Sequence, residues 1–247
     1  MSTVHIPKQK ASIPEETQTR KILEGEIKGM SVRFCRAHTA CSVVCETLEN
    51  RGRVLLFTAG NGTAATGSHE FDIRETALLV PGSKTECTVS SPDQLDFLEL
   101  IVDFSENDTK EMEDFSERHP FFVLYSMCKT YREKIKSVKT VNRTLLPEKV
   151  FPRLCIGSVQ TEGPDEVGMH KHPIVEQMFF GLAGNDCLVT ADEALTRFRE
   201  NELLHIPVGS SHGVQVDPGR DLHYLWIDLF GQSGDMEYIV QQHIEDG

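Results

Sequence analysis

From Lys28 onward, short apolar stretches alternate with turn-forming residues. VRFCRA, CSVVCETL, RVLLFTAG, TALLVPG, ECTVSS and LDFLELIVDF are rich in Val, Leu, Phe and Cys, and Gly, Pro, Asn and Ser separate them. Runs of this length, closed off by turn formers, predict short strands rather than helices. The rhythm breaks at SENDTKEMEDFSERHP, residues 105–120, whose charge density is too high for a core, so the segment reads as a connector between domains. It resumes with FFVLYS, TVNRTLL, RLCIGSVQ, EQMFFGLAG, DCLVTA, ELLHIPVG, GVQVD and LHYLWIDLF. Ahead of these strands, residues 1–12 read as a tail and Pro14–Glu24 as one short helix. Long amphipathic helices are scarce, and the pattern predicts an all-β sandwich or barrel.

The two halves resemble each other. FFGLAGN ending at Asn185 aligns with LLFTAGN ending at Asn61, and ELLHIPVGSSHGVQV from Glu202 aligns with TALLVPGSKTECTV from Thr76. From each AGN to the Pro of the second block is 22 residues in one half (185 to 207) and 20 in the other (61 to 81). A repeat of this kind predicts two tandem copies of one barrel. The expected division is a tail and short helix over 1–27, a first barrel over 28–104, an acidic connector and linking strand over 105–137, and a second barrel over 138–247.

Composition narrows the setting. Lys and Arg number 25 against 38 Asp and Glu, a net charge of −13 over 247 residues. Such a chain is repelled by phosphate backbones, which argues against nucleic acid as a partner. No apolar run approaches the roughly 20 residues that cross a bilayer, and MSTVHIPKQKASIPEETQTRK contains no apolar export signal. No membrane association is expected. Seven scattered cysteines form no disulfide framework, so reduced thiols and a cytoplasmic location are expected.

The chemistry concentrates in GPDEVGMHKHPIVEQMFFGLAG, Gly163 to Gly184. His170 and His172 are two apart and share one face of an extended strand. Glu176 has the same parity and can reach that face after a small bend. His212 arrives on a separate strand, after the turn formers Pro207-Val208-Gly209. Three imidazoles and one carboxylate suit a first-row divalent metal and leave it a residual positive charge. His172 and Glu176 would also share a helix face, but Pro173 and the Gly168 turn weigh against a helix. Other candidates fade. Cys41 and Cys45 share a strand face that His38 opposes, and no fourth zinc ligand follows. AGNGTAATGS lacks the Gly-Lys-Ser/Thr ending of a phosphate loop and reads as a hairpin turn. Asn142-Arg-Thr matches a glycosylation acceptor that a non-exported chain does not use.

Gly163, His170, His172, Glu176 and Gly184 together resemble the first motif of the cupins, a Gly, His-x-His, three or four residues, Glu and a later Gly. Pro207, Gly209 and His212 resemble the second. Gly163 and Gly184 each lie one residue outside the usual spacing, Asn201 stands where a turn Gly is usual, and Val216 where an Asn is common. The resemblance covers roughly residues 146–232 and implies a double-stranded β-helix, or jelly-roll, with a functional site for one divalent metal (Fe, Mn, Ni, Co or Zn). In the first half the His-x-His pair falls near Glu46 and Leu48, the Glu near Gly52 and the last His near Glu86, so that barrel is expected to be metal-free.

The whole chain thus resembles a two-barrel cupin with one active site. Parity with Glu176 places Met178 and Phe180 along the pocket, and Arg153 and Trp226, with Gln160, His223 and Tyr224, lie on strands able to meet a substrate. Glu176 and His205 are the candidate catalytic residues, with His205, on the strand leading to Pro207, either supporting the ligands from behind or carrying a proton. The implied function is a metal-dependent enzyme of dioxygenase, isomerase or lyase type. Its substrate would be a small oxygenated metabolite (keto acid, hydroxy-ketone or phenol-like) that chelates the metal through two oxygens. The alternative is a cupin that binds an organic acid or sugar without turning it over. Exposed sheet edges suggest a homodimer.

Overall fold

The Gly, Pro and Asn punctuation becomes short antiparallel strands in a computed structural model that describes residues 5–13, 18–133 and 136–235. Contacts divide the chain into two compact units. One is built from Ala11–Cys128 with Glu148–Pro152, the other from the described residues of Met1–Lys10, Lys129–Pro147 and Arg153–Gly247.

In the first unit a six-stranded sheet runs in the order Phe121–Leu124, Ala77–Val80, Arg51–Gly60, Gln94–Asp103, Met30–His38 and Thr19–Ile22. A four-stranded sheet, ordered Val43–Cys45, Cys87–Ser90, Gly62–Thr66 and His69–Ile73, accompanies it. Inward residues such as Cys35, Leu55, Phe57, Leu79, Val89 and Phe97 form one apolar core. The second unit repeats the plan. Its larger sheet carries Glu202–Ile206, Val175–Gly181, Asp221–Phe230 and Leu154–Glu162 in the order that Ala77–Val80, Arg51–Gly60, Gln94–Asp103 and Met30–His38 take in the first. Its smaller sheet is ordered Asp165–His170, His212–Val216, Asp186–Ala191 and Ala194–Arg199. Phe179, Val189, Phe198, Leu204, Val214 and Tyr224 belong to the core of this unit.

Local sequence explains the detail at several turns. Asn201 replaces a turn glycine and takes a φ of 56°, the left-handed region that Asn tolerates better than most residues. Gly209, with a φ of 74°, turns the chain just ahead of His212. Val175–Gly181 is buried along nearly its whole length, which is why Met178, Phe179 and Phe180 follow one another without a polar residue between them.

Three expectations are corrected. Lys8–Lys10, within the expected tail, is an edge strand paired with Glu202–Leu204; its KQK sequence has no apolar side to announce it, because an edge strand is held by its backbone. Of the helix expected over Pro14–Glu24, residues 14–17 lie outside the described residues, and Thr19–Ile22 is a strand paired with Val32–Cys35. The acidic segment is no bare connector: Glu106–Asp114 is the single α-helix among the described residues, opened by a reciprocal cap between Ser105 and Asp108, and it buries Met112. Phe121–Leu124 then pairs with Ala77–Val80 and belongs to the first unit, whereas Lys129–Tyr131 pairs with Asn142–Thr144 in the second.

Candidate metal centre

Asp165–His170 and His212–Val216 pair antiparallel, with a register shift between Val167 and His170 that sets His170 opposite His212. Such an irregularity re-aims the side chains at a strand end. Gly213 lets the strands close up, since a Cβ there would lie 2.8 Å from Met169 Sδ and 3.0 Å from Val167 O. Beyond His170 the strand stops. Pro173 lacks a backbone donor, and His172 is held from outside the sheet, its carbonyl accepting a 3.2 Å hydrogen bond from Gly209 N–H. The ring centroids of His170, His172 and His212 lie 4.4–5.4 Å apart, and one ligand atom from each falls within 4.8 Å of the others. His172 and His212 are buried and His170 half-buried.

Backbone carbonyls set the tautomers. His170 Nδ1 is 2.7 Å from Gly168 O and His212 Nδ1 is 3.2 Å from Ser210 O. A carbonyl only accepts, so both rings donate Nδ1–H and carry their lone pair on Nε2, the form a metal takes. Phe179, whose ring is 6.1 Å from that of His212 and 4.6 Å from that of Tyr224, walls the cluster on its core side.

Glu176 is not part of this cluster. Val175–Gly181 pairs with Asp221–Phe230 without a register break, so its side chains alternate strictly. Phe179 faces the core and His212, and Gln177 shares that face. Glu176, Met178 and Phe180 point to the other. The bend that would carry Glu176 round to the histidines does not occur. Instead His205 Nε2–H donates to Glu176 Oε2 at 2.9 Å, His205 standing opposite Met178 on the neighbouring strand. The two candidate catalytic residues thus touch each other, on the face of the sheet turned away from the histidine cluster. Met178 and Phe180 are buried there and do not line the histidine side.

Arg153 stands just ahead of the strand Leu154–Glu162. It takes a φ of 58°, and its Nη1 donates to Phe230 O at 3.1 Å, which ties together two strand ends. Trp226 does face inward. Its indole lies over Gly157, where a Cβ would come within 2.2 Å of the ring, and it packs on the core of the unit.

Sequence reasoning passed over the polar groups that share this interior. Gln177, 5% exposed, donates Nε2–H to Asp228 Oδ1 at 2.7 Å, and its Oε1 has no hydrogen-bond partner among the described residues. Burial pushes the Asp228 carboxyl up to about 7, with nearby Glu133 adding to the shift while the Gln177 hydrogen bond and Lys136 oppose it. Lys136 Nζ donates to Glu133 Oε1 at 2.9 Å and to Asn142 Oδ1 at 2.8 Å. Burial lowers the Lys136 ammonium, against the pull of Glu133, and burial raises the Tyr131 phenol. One signal was available beforehand: four residues separate Gln177 from His172, within the three-or-four spacing of the first motif.

The repeat also needs a one-residue correction. With Asn61 matched to Asn185, Arg53 corresponds to Gln177, and Gly52 to the outward Glu176. Cys45 stands opposite Cys87 at the strand end where the second unit has His170 opposite His212. Arg53 is 4% exposed; its Nε donates to Glu99 Oε1 at 2.6 Å and its Nη1 to Cys45 O at 3.1 Å.

Solved structures show where this architecture recurs. An iolb-like protein from Salmonella typhimurium superposes with a TM-score of 0.71 at 13% identity, over 93% of this chain and 94% of that one. An oxalate decarboxylase from Lactobacillus farciminis, solved as a formate complex, gives 0.69 at 14% identity, over 93% and 88%. A cupin 2 conserved barrel domain protein from Leptotrichia buccalis gives 0.61 at 14% identity, over 92% and 98%. No protein-family model matches the sequence, and no curated protein does. At these identities the likeness establishes the fold, an all-β jelly-roll shared with cupin-fold proteins, and leaves the chemistry to the site.

Proposed function

We propose that the second unit is a metal-dependent cupin enzyme, acting on a small oxygenated metabolite that reaches the metal through two of its own oxygens. The observation that carries this reading is the histidine cluster: three imidazoles with ligand atoms within 4.8 Å, two of them locked by backbone carbonyls as Nε2 donors. Two accidental surface histidines would not share that tethering. Bound there, a divalent Fe, Mn, Ni, Co or Zn ion supplies Lewis acidity or redox chemistry toward a chelating substrate.

The chain's own residues do the rest. His170, His172 and His212 hold the ion, and half-buried His170 marks the side from which a small molecule enters. Phe179 and Tyr224 keep water from the core side and sharpen electrostatics near the ion. Trp226 offers an inward aromatic surface for a keto acid or phenol-like substrate. In this two-barrel reading the first unit holds no metal: Cys45 and Cys87 replace the paired histidines, and the Arg53 guanidinium already places a cation inside. The proposal includes a reducing, cytoplasmic setting for the seven free thiols and a homodimer joined through a sheet edge, which light scattering tests.

The first test is elemental analysis of anaerobically purified wild type beside His170→Ala and His212→Ala. About one equivalent of metal per chain, lost in both variants, is expected. Iron then directs oxygen-consumption assays with keto acids and phenols, and zinc or manganese directs isomerase and lyase assays. Metal without turnover of any such compound would favour the binding cupin. No metal in the wild type after reconstitution would remove the reading.

A further inference from the structure

We infer that Cys45 and Cys87, in the first unit, are a redox-active thiol pair that closes into a cross-strand disulfide when the protein meets a peroxide. The pair gives the barrel without the histidines a chemistry of its own, and the inference stands independently of the metal reading of the second unit.

Position comes first. Val43–Cys45 pairs antiparallel with Cys87–Val89, and the register sets Cys45 directly opposite Cys87. Residues so opposed have Cα atoms about 4.5–5.5 Å apart, inside the roughly 4.4–6.8 Å that a disulfide spans. Both side chains are fully buried in the same apolar core, so they leave their strands on one face. The repeat supports this placement. At the corresponding strand end of the second unit His170 stands opposite His212, and their ring centroids approach to 4.4 Å. Cys35 belongs to the same core but lies on Met30–His38 of the other sheet, where its cross-strand neighbours are Phe97 and Thr19. No strand register presents it with a second thiol.

Reactivity is set by the sheet edge. Burial keeps both thiols protonated, with the Arg53 guanidinium opposing that shift, and a buried protonated thiol is a poor nucleophile. Val43–Cys45 is, however, a three-residue strand at the edge of its sheet, with Val44 exposed. Short edge strands open locally at low cost. Opening brings Cys45 to solvent, where its thiolate attacks one peroxide oxygen and displaces hydroxide, leaving a sulfenic acid. Re-pairing presents the thiolate of Cys87 to that sulfur. The S–S bond forms as the S–O bond breaks, and the oxygen leaves as water. Two thiols give up two electrons and two protons, the peroxide accepts them, and two waters result. Exposed Cys41 faces His38 in an isolated bridge and has no thiol opposite, so it serves as the reference for peroxide attack.

The test uses the reduced full chain as wild type, Cys41→Ala, Cys35→Ala, Cys45→Ala and Cys87→Ala, with folding checked by circular dichroism. Hydrogen peroxide is added under native conditions, the chain is then denatured, and iodoacetamide caps every thiol that remains. Non-reducing peptide mapping of wild type, Cys41→Ala and Cys35→Ala is expected to show one linked pair of peptides, carrying Cys45 and Cys87. Dithiothreitol should return both as free thiols. Cys45→Ala and Cys87→Ala should show no linked pair. Because the mapping is read on the wild type, the result does not depend on how well any variant folds. A linked pair other than Cys45 with Cys87 would overturn the inference. So would oxidation of Cys41 in the wild type while Cys45 and Cys87 are still recovered as free thiols. Either outcome leaves the histidine centre standing, and loss of the metal reading leaves this inference standing.

Discussion

Glu176 and His205 are joined by a 2.9 Å hydrogen bond across neighbouring strands, on the face of the sheet turned away from the three clustered histidines. The residue that the motif marks as a ligand is thus engaged elsewhere. Glu176→Gln should retain metal at the wild-type stoichiometry. Its cost should be a modest stability loss of about 1 kcal/mol, since a third of the Glu176 side chain is exposed and water screens the pair. Elemental analysis and urea melts check both numbers; loss of the metal would restore Glu176 as a ligand.

Metal binding to the native state alone should raise thermal stability by mass action. At about 100 times the dissociation constant the gain is about 2.7 kcal/mol. Differential scanning calorimetry with and without added manganese or zinc should show that increment in wild type and none in His212→Ala. An equal increment in both proteins would place the ion outside the cluster.

Inside the first unit, Glu99 is fully buried between Arg53 and Arg33, with Nε–Oε distances of 2.6 Å to each. Removing Arg53 leaves Glu99 with Arg33 alone and Cys45 O without its donor, at a cost of about 1–3 kcal/mol for the buried groups left short of hydrogen bonds. Arg53→Met should lower the unfolding free energy by that order and leave the metal stoichiometry of the second unit unchanged. A neutral result in chemical denaturation would show that the pair contributes nothing to folding.

Burial pushes the thiols of Cys45, Cys87 and Cys187 up to about 12. The folded protein keeps these protons to a higher pH than the unfolded chain, which releases them near 8.5. These groups therefore contribute falling stability as pH rises from about 9 toward 12, at up to about 1.4 kcal/mol per pH unit for each. Melts at pH 8 and pH 10 should show the loss, with a shallower slope in Cys45→Ala/Cys87→Ala. At pH 8 iodoacetamide should label exposed Cys41 and spare the buried three until the chain is denatured, as mass spectrometry reads directly.

Gly157 faces Trp226 across one strand pair, and an added Cβ would meet the indole at 2.2 Å and Arg143 O at 2.4 Å. Gly157→Ala should destabilise by about 1–3 kcal/mol and displace the indole. A blue or red shift in the fluorescence of this lone tryptophan reports the displacement; an unchanged spectrum and melt would mean the ring is not seated there.

The strand rhythm, the repeat and the three histidines were legible in the chain itself, because each depends on local chemistry. Period-two alternation, turn residues such as Gly209 and Asn201, and imidazoles spaced around a strand end act over a few residues at a time. Which of two neighbouring polar residues shares the face of Phe179 was not legible. Glu176 and Gln177 are neighbours, and in a strand one residue of register exchanges one face of the sheet for the other. Only the unbroken pairing of Val175–Gly181 with Asp221–Phe230 decided which side chain looks inward. Asp228 finds its hydrogen-bond partner, Gln177, 51 residues away, and Lys8–Lys10 becomes a strand only because the edge at Glu202–Leu204 offers it backbone hydrogen bonds. Sequence determined which residues have the chemistry of metal ligands; tertiary pairing decided which of them stand together, because facing is a property of the sheet and not of any one strand.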